Sequence, residues 1–322
     1  MAGVIPISAG LLAVASTFGA AFGAAPTLAP YKDDLFANQV IETDHGGDYR
    51  FIQYDRERDL YGRDEVVEKK AKPEYVSLDP SKTQVDRVLE RGGRTVRYEG
   101  AGKVSGGAAF VVIFLHGDRG NRHQAMDDWS FGGNFNRLKN LVVRNGGAYL
   151  STDFTNFGRR GADDVLVLMQ AVAEVSPGAP IILACSSRGG EVCFRLLEDR
   201  EGAALVGGML LLNAGNEESF FELPVYTDPA RHIPIFIGHG SSDSLIPWMT
   251  QQLFFEQVKQ GMPSYPIRFD LFVEGRHGTP LRLTDWRRVL NWMIPLAGEA
   301  GATASTVPAA ADVPSPVASP RR

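Results

Sequence analysis

The chain has 322 residues, 44% hydrophobic and 22% charged, which suits one large globular domain or two small ones without a disulfide scaffold or a metal to hold the core. A net charge of −5 gives no basic footprint for nucleic acid. The two cysteines, Cys185 and Cys193, form no CxxC pair, and a bond between them is not expected: Cys185 ends a strand and Cys193 lies well inside the next helix.

Residues 2–31 carry no charged side chain, and Ile7–Ala25 is rich in Ala, Gly, Leu and Phe. This resembles the apolar part of a secretory signal, with small-x-small cleavage candidates at Gly19-x-Ala21 and Ala21-x-Gly23. No Lys or Arg precedes the run, so its positive end is the terminal amine alone. Residues 1–25 are therefore expected to direct export, making the protein periplasmic or secreted. The alternatives are an uncleaved membrane anchor and a cytoplasmic arm. This segment is the one expected membrane contact.

Residues 32–298 read as one domain. Its first part, 32–103, is strongly charged, and short extended runs at Tyr49–Tyr54, Tyr75–Leu78 and Thr95–Tyr98 predict antiparallel strands. From Ala108 the pattern changes. Apolar runs at Phe110–Leu115, Ile181–Ala184, Met209–Leu212 and Ile233–Ile237, with Ala148–Thr152 and Ile267–Val273, suit strands covered on both faces. Between them, helical periodicity marks Asn134–Arg144, Asp163–Val175, Glu191–Asp199, Thr250–Lys259 and Asp285–Met293. Strands alternating with helices predict right-handed βαβ units and a doubly wound, mostly parallel α/β sheet. Residues 299–322, mostly Ala, Pro, Ser, Thr and Val, predict a disordered tail.

Several chemistries find no motif. There is no HExxH and no CxxC. Gly102-Lys103 runs into Val104, with Arg97 where a phosphate-binding loop needs glycine. Gly100-Ala-Gly102 precedes a strand, so it is no dinucleotide fingerprint. No cofactor or metal is implied.

The run Pro180-Ile-Ile-Leu-Ala-Cys-Ser-Ser-Arg-Gly-Gly reads as strand, sharp turn, helix. In a nucleophile elbow, G-x-S-x-G, the serine sits on a strained turn and needs small neighbours, because backbone meets backbone there. Centred on Ser187 the small positions are Cys185 and Gly189; centred on Ser186 one of them would be Arg188. Ser187 is favoured. The amide of Arg188, at the helix start, is then placed to meet a developing oxyanion. A serine-rich turn that merely caps a helix is the structural alternative.

Two further runs carry polar groups at strand ends. Ile233-Pro-Ile-Phe-Ile-Gly-His-Gly-Ser-Ser-Asp-Ser-Leu-Ile-Pro puts Asp243 after a strand, as an acid or as a helix cap. Ile267–Val273 is followed by Glu274-Gly-Arg-His-Gly-Thr, with His277 on the loop. A serine hydroxyl becomes nucleophilic when an imidazole takes its proton, and a carboxylate orients that imidazole.

Over roughly residues 105–296 these motifs resemble the α/β-hydrolase superfamily. The likeness extends to the small carboxylesterase, phospholipase and acyl-thioesterase type, and to dienelactone-hydrolase-like or prolyl-oligopeptidase-like catalytic domains. The resemblance implies the chain order Ser, Asp, His, which Ser187, Asp243 and His277 satisfy as nucleophile, acid and base. It also implies a second oxyanion donor in the loop after Phe110-Val-Val-Ile-Phe-Leu-His-Gly-Asp-Arg-Gly: the amide of Asp118, with Arg119 the alternative, and His116 in a structural role. Cys185 for the first glycine and Asp-Arg after His-Gly depart from the pattern.

What the resemblance implies is a serine hydrolase of esters or thioesters, acting on a small-molecule or lipid-like acyl substrate. A peptidase on short peptides and a non-catalytic binding protein of the same fold are the competing readings. Asn213–Pro229 reads as a short cap. Arg119, Arg122, Arg188 and Arg276 flank the site in sequence, where one could meet an anionic substrate group or all could be solvated.

Overall fold

The computed structural model describes residues 27–304, with the side chains of 299–304 left aside. The expected export segment at 1–25 and residues 305–322 lie outside the described residues. The charged N-terminal part supplies β1 (Val40–Asp44), β2 (Tyr49–Gln53), a small ribbon of β3 (Asp64–Val66) and β4 (Lys70–Ala71), and the hairpin β5 (Val85–Arg91) and β6 (Arg94–Gly102). Then come β7 (Val111–Leu115), α1 (Asn134–Arg144), β8 (Ala148–Thr152), α2 (Arg159–Val175), β9 (Ile181–Ser186) and α3 (Gly189–Glu198). The chain continues through α4 (Arg200–Leu205), β10 (Val206–Leu212), α5 (Pro224–Thr227), β11 (Ile235–Gly240) and α6 (Trp248–Gly261). It ends with β12 (Ile267–Val273), α7 (Thr279–Leu283) and α8 (Trp286–Ala304).

Ten strands form one mixed sheet in the order β1-β2-β12-β11-β10-β9-β7-β8-β6-β5. The strands from β8 through β2 run parallel, and the outer pairs are antiparallel. The apolar runs work as expected of strands buried on both faces. Val111, Ile113 and Leu115 join one core with Leu168, Phe194 and Phe255 of α2, α3 and α6. Phe110, Val112 and Phe114 join the other with Leu138 of α1 and Leu290 of α8. Strand side chains alternate between faces, so one run feeds both cores. Burial of each large aliphatic side chain stabilises the sheet by roughly 1.5–3 kcal/mol.

Residues 32–103, which no motif explained, finish the sheet and brace it. β2 pairs with β12, and Arg50 forks the buried Asp270 at 2.9 and 2.6 Å while Arg288 reaches the same carboxylate at 2.5 Å. Asp64 forks Arg282 of α7 at 2.8 and 2.9 Å, so the β3–β4 ribbon grips the helix that follows His277. The β5–β6 hairpin closes the far edge.

Three expectations need correction. Tyr75–Leu78 is not a strand: Pro73–Tyr75 is a 3-10 turn, and the Asn136 side chain occupies both backbone groups of Ser77 at 2.9 Å. The tail expected from 299 does not hold for its first residues, because the backbone of α8 stays helical to Ala304. Cys185 and Cys193 are joined as a disulfide. The turn at 187–188 folds α3 back against β9 and brings the two Cα atoms to 6.6 Å, within bridging range.

Candidate active site

The connection leaving β7 runs to β8 on one side, and the connection leaving β9 runs to β10 on the other. Adjacent strands whose exits diverge leave a crevice at their carboxyl ends, the usual ligand position in an open α/β sheet. The loops after β7, β9, β11 and β12 carry Asp118, Ser187, Asp243 and His277. Four non-glycine residues just past the carboxyl ends of β7, β9, β10 and β12 have left-handed backbone: Arg119 (φ 59°), Ser187 (φ 51°), Asn213 (φ 46°) and Glu274 (φ 63°). Such conformations persist only where surrounding packing enforces them.

Around Ser187 the enforcement is steric. A methyl group on Gly189 would come 2.4 Å from the Leu115 carbonyl oxygen and 2.8 Å from that of His116. One on Gly117 would meet Ser187 Cβ at 2.8 Å and its Oγ at 3.3 Å. The elbow and the His-Gly loop are therefore in backbone contact. His116 fills the structural role expected of it: its Nδ1 lies 2.9 Å from Gly117 O and its ring stacks on Phe154. The amides of Arg188 and Asp118, the two expected oxyanion donors, have no acceptor among the described residues.

At the ends of β11 and β12 the residues expected as acid and base are bonded to each other. His277 Nδ1 lies 2.7 Å from Asp243 Oδ2, whose side chain is sealed from solvent. Asp243 Oδ1 accepts the amides of Leu245 and Ile246 at 2.8 and 3.2 Å, so the carboxylate also caps its own loop. Burial alone would raise the Asp243 carboxyl, but the His239 and His277 imidazoles and the two amides outweigh it and hold the group well below the usual carboxylate range. Ser187 Oγ and His277 Nε2 each lack a hydrogen bond among the described residues. Nucleophile–base bonds are often long before substrate arrives.

Two residues the sequence reading passed over organise this side. Asn213, buried after β10, accepts the Gly240 amide at 3.0 Å and reaches the Arg276 carbonyl at 3.4 Å, tying the acid loop to the base loop. Its signal was an asparagine closing an apolar run, a residue that tolerates left-handed backbone. His239, buried in β11, lies beside Asp243.

Beside Ser187 lies a cavity of about 280 Å³, lined by Arg188, Glu191, Phe194, Asn216, Glu217 and Ile246 among others. The short cap contributes its first residues here. Of its remainder, Phe220 is fully buried against Phe194, Phe254 and Tyr265. The flanking arginines differ. Arg122 is engaged by Asp86 and Asp153, and the exposed Arg188 by Glu191; Arg119 and Arg276 are also exposed, with Arg119 3.7 Å from Asp118.

No family model and no curated protein matches the chain. Solved structures do. A thermostable esterase superposes with a TM-score of 0.52 at 14% identity over 66% of this chain, which spans 62% of the esterase. A protein of unknown function from Agrobacterium tumefaciens, described as a putative alpha/beta hydrolase, gives 0.50 at 14% identity over 64% of this chain and 93% of its own. At that identity the likeness concerns architecture, and it agrees with the strand order and the crevice: the chain has the α/β-hydrolase fold.

Proposed function

We propose that the protein is a serine hydrolase that cleaves carboxylic esters or thioesters through an acyl-enzyme on Ser187. The observation that carries this reading is the 2.7 Å contact between His277 Nδ1 and Asp243 Oδ2. An ionised carboxylate only accepts, so it keeps the proton on Nδ1 and leaves Nε2 with a lone pair. Nε2 takes the Ser187 proton as Oγ attacks the substrate carbonyl carbon, and Asp243 stabilises the imidazolium. The amides of Arg188 and Asp118 hold the oxyanion. His277 returns the proton to the departing alkoxide or thiolate, and water, activated by the same imidazole, releases the acid and regenerates Ser187.

The cavity supports a short acyl or alcohol group: at about 280 Å³ it falls at or just below the range of drug-sized ligand pockets, roughly 300–1,000 Å³. The engagement of Arg122 and Arg188 by carboxylates weighs against recruiting either for an anionic substrate. Export fits the disulfide, since such bonds persist in oxidising compartments. Among the described residues no helix is long and apolar enough to cross a membrane.

The test is turnover of acetyl and butyryl esters, their thioesters and matched peptide amides by wild-type and Ser187→Ala protein. Ester or thioester turnover should fall by about 10⁴-fold or more in the variant. Retained turnover refutes the assignment, and faster cleavage of amides than esters would move the reading to a peptidase.

A further inference from the structure

His239, in the last turnless stretch of β11, is wholly buried. Its Nε2 lies 2.9 Å from the Ile246 carbonyl oxygen and 3.3 Å from Asp243 Oδ2. Both neighbours are acceptors, so Nε2 carries the proton. Nδ1 is buried without a partner among the described residues, so a proton there would be a donor sealed from water. The ring therefore presents one N–H, bonded to the Ile246 carbonyl, with Asp243 Oδ2 alongside it.

Those two neighbours matter. Ile246 lines the cavity beside Ser187, and Asp243 Oδ2 is the oxygen that meets His277. The amides of Leu245 and Ile246 grip Oδ1 alone, and a carboxylate held by one oxygen can still twist about that grip. Asp243 lies between His239 and His277, its Oδ2 3.3 Å from the first and 2.7 Å from the second.

We propose that His239 is a positioning residue: its Nε2–H anchors the acid loop at the Ile246 carbonyl and sets the ring against Asp243 Oδ2, so that Oδ2 faces His277. This rests on the functional reading above, and it has a readout that does not need turnover. A hydrogen bond from imidazole Nδ1–H to a carboxylate moves that proton far downfield, where NMR sees it in Ser187→Ala protein as well.

The experiment compares His239→Gln with His239→Asn. The glutamine amide nitrogen reaches the position of Nε2, and the asparagine nitrogen that of Nδ1. Gln should keep the downfield His277 proton and hold kcat within about threefold, whereas Asn should lose the signal and about tenfold in kcat with KM little changed, the scale of one buried hydrogen bond. Equal signals and equal rates in the two variants would overturn the proposal. If the wild type proves inactive while the downfield proton still separates the two variants, the functional reading fails and the positioning role stands.

Discussion

The crevice has two halves that are held differently. Around Ser187 the parts are locked by contact: Gly117 and Gly189 let two backbone segments touch, and the Cys185–Cys193 bond ties β9 to α3. Around Asp243 and His277 the loops touch closely at one point, where a methyl group on Gly240 would come 2.4 Å from Gly275 O, and are otherwise laced by hydrogen bonds, through Asn213, His239 and the pairing of Ser242 N with Gly275 O at 2.8 Å. Close packing is all-or-none, since it cannot yield without moving backbone. Hydrogen bonds fail one at a time. The nucleophile half should therefore be intolerant of added atoms, and the acid–base half, outside the close approach at Gly240, should lose function in steps.

The largest effect expected from this contrast is at Gly189. Gly189→Ala puts a methyl group against the carbonyls of Leu115 and His116, and the elbow must shift. A displacement near 1 Å should cost about 100-fold in kcat. Wild-type kinetics in that variant would mean the elbow is not held by contact. A smaller loss is expected at Asn213→Ala, which leaves the Gly240 amide buried and unpaired. Unfolding in urea should show about 1–3 kcal/mol less stability, and kcat should fall by about tenfold as the acid and base loops loosen. An unchanged rate would separate the lacing from the chemistry.

The smallest kinetic effect is expected from the cysteines. The double change Cys185→Ser and Cys193→Ser opens a short loop, worth about 2–3 kcal/mol of stability on chain-entropy grounds. Because the glycine contacts remain, kcat should stay within about threefold, less than one hydrogen bond's worth. A collapse of kcat in a folded double variant would move the lock from close packing to the covalent bond.

Much of the fold was legible because buried strands and amphipathic helices leave strong patterns. Ala148–Thr152, Ile267–Val273 and Asn134–Arg144 have the bounds expected of them. The site loops were legible for a related reason: Ser187, Asp243 and His277 each follow an apolar run, in the order the resemblance required. What was hidden depended on three-dimensional closure. The disulfide needed the elbow's reversal, which residue spacing does not show. The β1 strand has every residue exposed and no alternation to mark it. Asn213 and His239 act through loops that meet only when β10, β11 and β12 lie side by side.

The most direct test of the central claim is labelling of purified protein with a fluorophosphonate, which reacts with activated serines. Wild-type protein should be labelled and Ser187→Ala protein should not. Labelling of neither would contradict an activated serine at this site, and equal labelling of both would shift the nucleophile away from Ser187, with Ser186 the first residue to examine.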